Sequence, residues 1–321
     1  MAKKKRCYSG IGGQAVMEGI MMKNNDKYAV AVRKPDGEIV VEVENYRGVL
    51  HGRKIKELPF IRGIFNFVDS LILGTRSLNF SVSFYDEETE PDKESKMSKE
   101  TAEKLMNVLV TVLSLALAVG IFIVLPYFVT SLITEKLLNR SLKLIIEGVI
   151  RIVIFILYVW GISIMKDIRR LYRYHGAEHK CINCLERGKE LNVKNVMRSS
   201  RLHKRCGTSF IFFVLFVSII LSFFIVVDNP VQKVLLRILM MPIVAGISYE
   251  FIRFAGRSDN IIMQILSIPG MAIQRLTTKE PDEEMVEVAI TAIEAVFDWK
   301  TYLCDNFGYE PDHFGYEPEE S

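Results

Sequence analysis

Long apolar runs constrain this chain more than any other feature. Leu105 to Ile133, Leu142 to Met165 and Phe210 to Val227 are each long enough for a hydrocarbon core of about 30 Å. Val234 to Phe254 is a fourth candidate, interrupted by Arg237, Pro242 and Glu250. A soluble fold has no place for so many continuous apolar segments, so the length of 321 residues does not predict two soluble domains. The expected class is a mainly α-helical polytopic membrane protein with about four transmembrane helices. "MAKKKR" leads into Gly-rich and polar sequence rather than an apolar h-region, so no cleavable signal is expected.

Basic residues near the span ends set the expected orientation. Lys166 to Arg205 holds 12 Lys/Arg against 4 Asp/Glu, which predicts a cytoplasmic loop. The loops near Asn139 and Asn229 then lie outside, and both termini lie inside an inner, or plasma, membrane crossed several times. Five cysteines on the cytoplasmic side would be reduced thiols, available for metal or redox work. The net charge of +3 is split between basic and acidic segments. Membrane lipids are the expected contacts, and no nucleic acid is.

The chain divides on this reading into five parts. Residues 1–104 form an N-terminal cytoplasmic region. In it "YAVAVRKPDGEIVVEVE" alternates around a Pro-Asp-Gly turn and predicts a β-hairpin. Phe60 to Phe84, with Ile64, Phe67, Val68, Leu71 and Ile72 at helical spacing, predicts an amphipathic helix on the bilayer or against the spans. "DEETEPDKESKMSKE" reads as a charged linker. Residues 105–165 carry the first two spans, 166–207 a basic cytoplasmic loop, and 208–256 the third and fourth spans. Glu147 and Arg151 in the second span read as an outer-end ion pair. In residues 257–321, "NIIMQILSIPGMAIQRLTT" reads as an interfacial or re-entrant helix broken at Pro-Gly. The tail from Lys279 has 13 acidic residues against two lysines, a helical stretch from Met285 to Phe297, and "FGYEP" at both Phe307 and Phe314.

The basic loop holds the densest chemistry. "YHGAEHKCINC" places His175 and His179 four apart, on one face of a helix, with Glu178 beside them. This H-x-x-E-H pattern inverts the H-E-x-x-H zincin motif, in which two imidazoles bind zinc and the carboxylate takes a proton from water at the ion. Two histidines in a basic juxtamembrane loop could equally be solvated or face phospholipid. "LHKRCGTSF" adds His203 and Cys206 just before the third span. Folded back across a short polar stretch, they would complete a His–His–His or His–His–Cys set with an open position; the competing role is capping at the span's entrance. Cys181 and Cys184 form C-x-x-C, but a zinc ribbon needs a second pair, and they read as packing residues. Glu250, near the cytoplasmic end of the fourth span, is a possible additional ligand, with Arg253 available to pair with it instead. In "SGIGGQAVMEGIMM" the glycines Gly10, Gly12 and Gly13 allow close backbone approach, without Rossmann or P-loop spacing. Gln14 and Glu18 there could face a buried site. His51, Arg53 and Arg62 are weaker candidates, for anion contacts.

Together "GGQAVMEGIMM", "PFIRGIFNFVDSL", "YHGAEHKCINCLE", "HKRCGTSF" and "TTKEPDEEMVEVAI" resemble the YqhQ-like family of bacterial membrane proteins over about residues 7 to 300. The family carries the label of predicted metal-dependent enzymes, with no reaction attached. The resemblance implies a four-span-type bacterial inner-membrane protein and a metal role for His175, Glu178, His179, His203 and Cys206, which stand in the matching motifs.

The expected function is a metal-dependent hydrolase at the cytoplasmic membrane face. His175, His179 and His203 would hold a divalent ion such as zinc, with Cys206 as a fourth or alternative ligand and Glu178 as general base. A lipid or a membrane-proximal peptide would be the substrate. The alternative is a non-enzymatic adaptor, assembly or lipid-handling protein, with a structural metal or none, whose acidic tail recruits a soluble partner. Ion transport would need polar residues deep in the spans, and the first and third spans have almost none.

Overall fold

The computed structural model describes residues 6–85, 96–134, 139–227, 229–257 and 260–315. Its N-terminal part is an antiparallel meander of β1 (Gly12–Val16), β2 (Gly19–Asn24), β3 (Lys27–Arg33) and β4 (Ile39–Asn45), ordered β1-β2-β3-β4. Two-residue connections need left-handed backbone to match strand twist. Glu18 (φ 49°) and Asn25 (φ 52°) supply it in the first two turns. The predicted hairpin is β3–β4: Arg33 pairs with Ile39 across Pro35, Asp36 and Gly37, the last at φ 90°. The sequence reading stopped short of β1 and β2, whose residues pair Gly12 with Lys23 through Val16 with Gly19.

The amphipathic helix forms as expected, as α1 (Ile61–Val82). Of the charged linker, residues 86–95 lie outside the described residues, and the remainder is already helical in α2 (Lys96–Val119). A π turn, Gly120–Val124, joins α2 to α3 (Leu125–Thr134). There follow α4 (Arg140–Ile162), α5 (Lys166–Leu185), α6 (Val193–Met197) and α7 (Gly207–Ser222). Next come α8 (Pro230–Leu239), α9 (Met241–Arg257) and α10 (Ile261–Thr277). The tail holds α11 (Glu283–Glu294) and α12 (Trp299–Phe307).

Among the described residues, one helix is long and apolar enough to cross a membrane: Val108–Ile133, 26 residues at a mean hydropathy of 3.0. Only 6% of its most apolar stretch is buried, so it is not the core helix of a soluble fold. The other three expected spans depart from a plain apolar rod, each for a local reason. Helix α4 carries Glu147 and Arg151 in its interior. Helix α7 has 16 residues, a rise of roughly 24 Å. The fourth run is two helices, α8 and α9, meeting at 45°, where Pro242 follows the break; together they would make a second crossing. Pro-Gly, expected to break the next segment, does not: α10 runs through Pro269. A proline removes one backbone bond, which packed apolar helices tolerate. Gly270 then lets α10 press on α7, since a Cβ there would lie 2.9 Å from Ser209 Oγ.

The central strands are buried on both faces, and this explains their nearly continuous apolar sequence. One face, with Ile20, Met22, Ala29 and Ala31, packs on Tyr174, Ala177 and Cys181 of α5 and on Met285, Ala289 and Ala292 of α11. The other, with Val16, Met21, Val30 and Val32, packs on Leu73 of α1. The "FGYEP" residues close the far side. Tyr309 donates to the Gly188 carbonyl at 3.0 Å, and Phe314 packs on Tyr309 and Trp299. Helix α5 is thereby held between a sheet and a tail, with one face left for the residues that follow.

Candidate metal centre

His175, Glu178 and His179 fall in the middle of α5. The helix can carry them against neighbouring backbone because Gly176 has no side chain: a Cβ there would lie 2.0 Å from the Lys279 carbonyl oxygen. The segment leaving α10 therefore crosses α5 at contact distance. Lys279 N–H donates to the Tyr172 carbonyl at 2.8 Å, and the Thr277 carbonyl faces His175 Nδ1 at 2.9 Å. The Arg201 carbonyl likewise faces His179 Nδ1 at 2.7 Å. A carbonyl only accepts, so each Nδ1 carries a proton, and each Nε2, once deprotonated, is the atom that could coordinate an ion.

Cys206 completes the group from the N-cap of α7. Its Sγ lies 3.1 Å from His175 Nε2 and accepts from Thr208 N–H at 3.4 Å. One ligand atom from each of His175, His179 and Cys206 lies within 4.8 Å of the others, close enough for a single ion to touch all three. Two imidazoles and a thiol are a donor set that suits zinc or a similar borderline ion. Burial opposes the thiolate, but the facing His175 and His179 hold Cys206 well below the usual thiol range. Burial also opposes a charged His175, yet Cys206 and Glu178 outweigh it and push His175 up to about 9.

Glu178 is 5% exposed, and its Oε2 has no hydrogen-bond partner among the described residues. Burial pushes its carboxyl up, against the pull of His175 and His179. The N-terminal glycines belong here too. A Cβ on Gly13 would lie 3.0 Å from Glu178 Cδ and 2.7 Å from the Met21 carbonyl oxygen, so only glycine lets β1 close over the carboxyl. A cavity of about 750 Å³ opens on the group, lined by Gly13, Gln14, His175, Glu178, Cys206 and Thr208 among others. Gln14 lines that cavity too, with its amide against Gly74 of α1. Glu18 does not: it pairs with Arg170 and accepts from Tyr174 at 3.1 Å.

His203 is buried nearby, its ring centroid 5.6 Å from that of His179. Its Nε2 lies 3.5 Å from Glu186 Oε2, and it is not among the three converging ligands. Burial holds His203 below the usual imidazole range. Glu250 sits on α9 with Arg62, whose Nε donates at 2.6 Å, and with the Phe60 N–H at 3.2 Å; Arg62, not Arg253, is its hydrogen-bonding partner. Cys181 and Cys184 pack in the core, Cys184 Sγ donating to the Glu190 carbonyl at 3.3 Å.

Several supporting residues escaped the sequence reading. Lys180 donates to the carbonyls of Met197 and Ser199 at 2.9 and 3.0 Å. Asn183 does the same for Ser200 and Leu202 at 2.7 and 3.0 Å. Between them they fix the loop that presents the Arg201 carbonyl. Gln274 of α10 accepts from His203 N–H at 2.9 Å and donates to its carbonyl at 2.7 Å. Glu186 accepts from Ser9 N–H and Oγ–H at 3.2 and 3.1 Å and pairs with Arg205. Their only signal in sequence was polarity in segments that looked like solvated helix.

Comparison with known proteins gives a family and no activity. A family profile described as "Protein of unknown function (DUF1385)" matches residues 58–299. The chain is 34% identical over 284 residues to "Uncharacterized protein YqhQ" of Bacillus subtilis (strain 168), covering 87% of this chain and 89% of the relative. No solved structure matches it. The chain belongs to the DUF1385 family.

Proposed function

We propose that this DUF1385 protein is a multi-pass membrane protein that holds a divalent metal ion, zinc by its donor set, on His175, His179 and Cys206. It would use that ion for hydrolysis at the cytoplasmic membrane face. The observation that carries the reading is the convergence of the three ligand atoms within 4.8 Å, with both imidazole Nδ1 atoms engaged by carbonyls. Three protein ligands with one position open is the pattern of a catalytic rather than a structural zinc site. His203 and Glu250 are left out of the set, because Glu186 and Arg62 already engage them.

When bound, such an ion supplies Lewis acidity and lowers the pKa of water. The residues of the chain do the rest. Glu178, with an unengaged carboxyl oxygen and a carboxyl pushed up by burial, is placed to take a proton and return it. Thr277 and Arg201 orient the two rings through their carbonyls. Gly13 and β1 screen the carboxyl from bulk water.

The membrane part of the reading rests on Val108–Ile133 being apolar and barely buried, and on the bent α8–α9 pair. The apolar runs support four crossings of an inner membrane, and the excess of basic residues between Lys166 and Arg205 supports both termini in the cytoplasm. A substrate at the inner leaflet, a lipid headgroup or a membrane-proximal peptide, would have room in the cavity of about 750 Å³ beside the ligands.

Metal analysis tests this proposal. Protein purified anaerobically in mild detergent is expected to carry about one equivalent of zinc or a similar ion, and His175→Ala with His179→Ala to carry none. Metal-free wild-type protein, together with full complementation by the double variant, would overturn it and favour the non-enzymatic adaptor.

A further inference from the structure

A second polar site lies inside the helix bundle, remote in sequence from the metal ligands and independent of them. Glu147 of α4 accepts from Arg151 Nη2 at 2.8 Å and from Arg237 Nη2 of α8 at 2.9 Å. The two arginine side chains are each 7% exposed and the glutamate 6%. Among the described residues, two guanidiniums face one carboxylate, which leaves one positive charge without a counter-charge in an apolar bundle, an arrangement that is costly and marks function more often than stability. The Nε atoms of both arginines are buried and find no acceptor among the described residues.

The two arginines line a cavity of about 350 Å³. Ser218 and Ser222 line it as well, and its remaining walls are apolar side chains such as Phe122, Leu215 and Val244. Phe122 and Ile123 reach it from the π turn, Gly120–Val124. Such turns interrupt the regular helix ladder and cluster at functional sites. Phe67, Phe210 and Ile211 line both this cavity and an apolar groove of about 670 Å³ along α1. A chain-bearing molecule therefore has room beyond the arginine pair.

We infer that this cavity binds an amphiphile with one acyl chain and a single negative charge on a planar or tetrahedral oxyanion, a carboxylate or a phosphodiester. One negative charge is what the arginine pair lacks among the described residues. Guanidinium forks match oxyanions in geometry, and the apolar walls take the chain.

The test is equilibrium binding of radiolabelled dodecanoate to the full-length protein in an uncharged detergent, with dodecanol and acetate as competitors. Saturable binding is expected, with dodecanol and acetate at least tenfold weaker. Arg237→Met, which keeps the Arg151–Glu147 pair, is expected to lose affinity at least tenfold with its metal content unchanged. Glu147→Gln, which leaves both arginines without their carboxylate, is expected to bind several-fold tighter, an effect that a merely structural triad would not give. Displacement by lysophosphatidylglycerol would support the site and assign its natural ligand to lipid headgroups. Saturable binding that this lipid does not displace would support the site and assign it to the free acid. Dodecanol competing as well as dodecanoate, or unchanged affinity in Arg237→Met, would overturn the inference.

Discussion

Glu186→Gln removes the one carboxylate that joins the N-terminal segment, the end of α5 and the His203 loop. In the folded protein burial works against its charge. Hydrogen bonding by His203, with Arg205 and the Ser9 N–H, outweighs burial and brings Glu186 down to about 2 from an ordinary 4.5. Each pKa unit is worth about 1.4 kcal/mol, so the depression corresponds to roughly 3 kcal/mol of folding free energy. The pair is well enclosed, at 4% side-chain exposure for Glu186 and 18% for Arg205, so solvent screening takes little from that figure. The folded pKa is depressed, so the contribution is complete above the unfolded value and is lost as pH falls from about 5 towards 2. Chemical unfolding in detergent, followed by circular dichroism at a series of pH values, measures it. The wild type should lose roughly 3 kcal/mol more than Glu186→Gln across that window, and the two curves should converge near pH 2. Parallel curves, with the same acid slope in both proteins, would refute the assignment of this carboxylate as the clamp.

Two further substitutions probe the framework around the proposed metal ligands. Gly176→Ala places a methyl where the Lys279 carbonyl oxygen now lies 2.0 Å from the ideal Cβ position; backbone must move, at a cost of about 1–3 kcal/mol or more. A thermal unfolding midpoint lowered together with metal content is expected, and an unchanged midpoint would mean that the crossing is not tight. Lys180→Met withdraws the donor from the half-buried Met197 and the buried Ser199 carbonyls and should destabilise by roughly 2 kcal/mol, read by the same unfolding assay. Amide exchange should quicken in residues 197–202, where the loop loses its anchor.

The parts of this structure readable from sequence were those with a local period. Tyr28 to Glu44 alternates around a turn that demands Gly37, and Ile64 to Ile72 repeats at helical spacing; both elements formed as expected. The expected face of His175, Glu178 and His179 is a single helix face in α5, and Cys206 does fold back on it. What the pattern hid was long-range. Strand β2 is covered on both sides, so its apolar residues do not alternate, and β1 is a short edge strand opened by two glycines. Glu186 meets Ser9 across 177 residues, and no spacing rule reaches that far. The same blindness affected His203, whose partner Glu186 looked like one more charge at a helix end. Pro269 misled for a different reason: a proline forfeits one backbone bond but need not end a helix, and α10 continues through it.

The strap from Thr277 to Lys279 also sets an order of events during synthesis. All three donor side chains have been made once Cys206 is added, yet the carbonyl that turns His175 belongs to a residue 102 positions after it. At 5–20 residues per second, roughly 5–20 s separate the appearance of that imidazole from the arrival of the group that orients it. The nascent chain therefore carries loose donors long before it carries a site. The proposed site would acquire its selectivity for an ion only when α10 has been laid down and the strap drawn across α5.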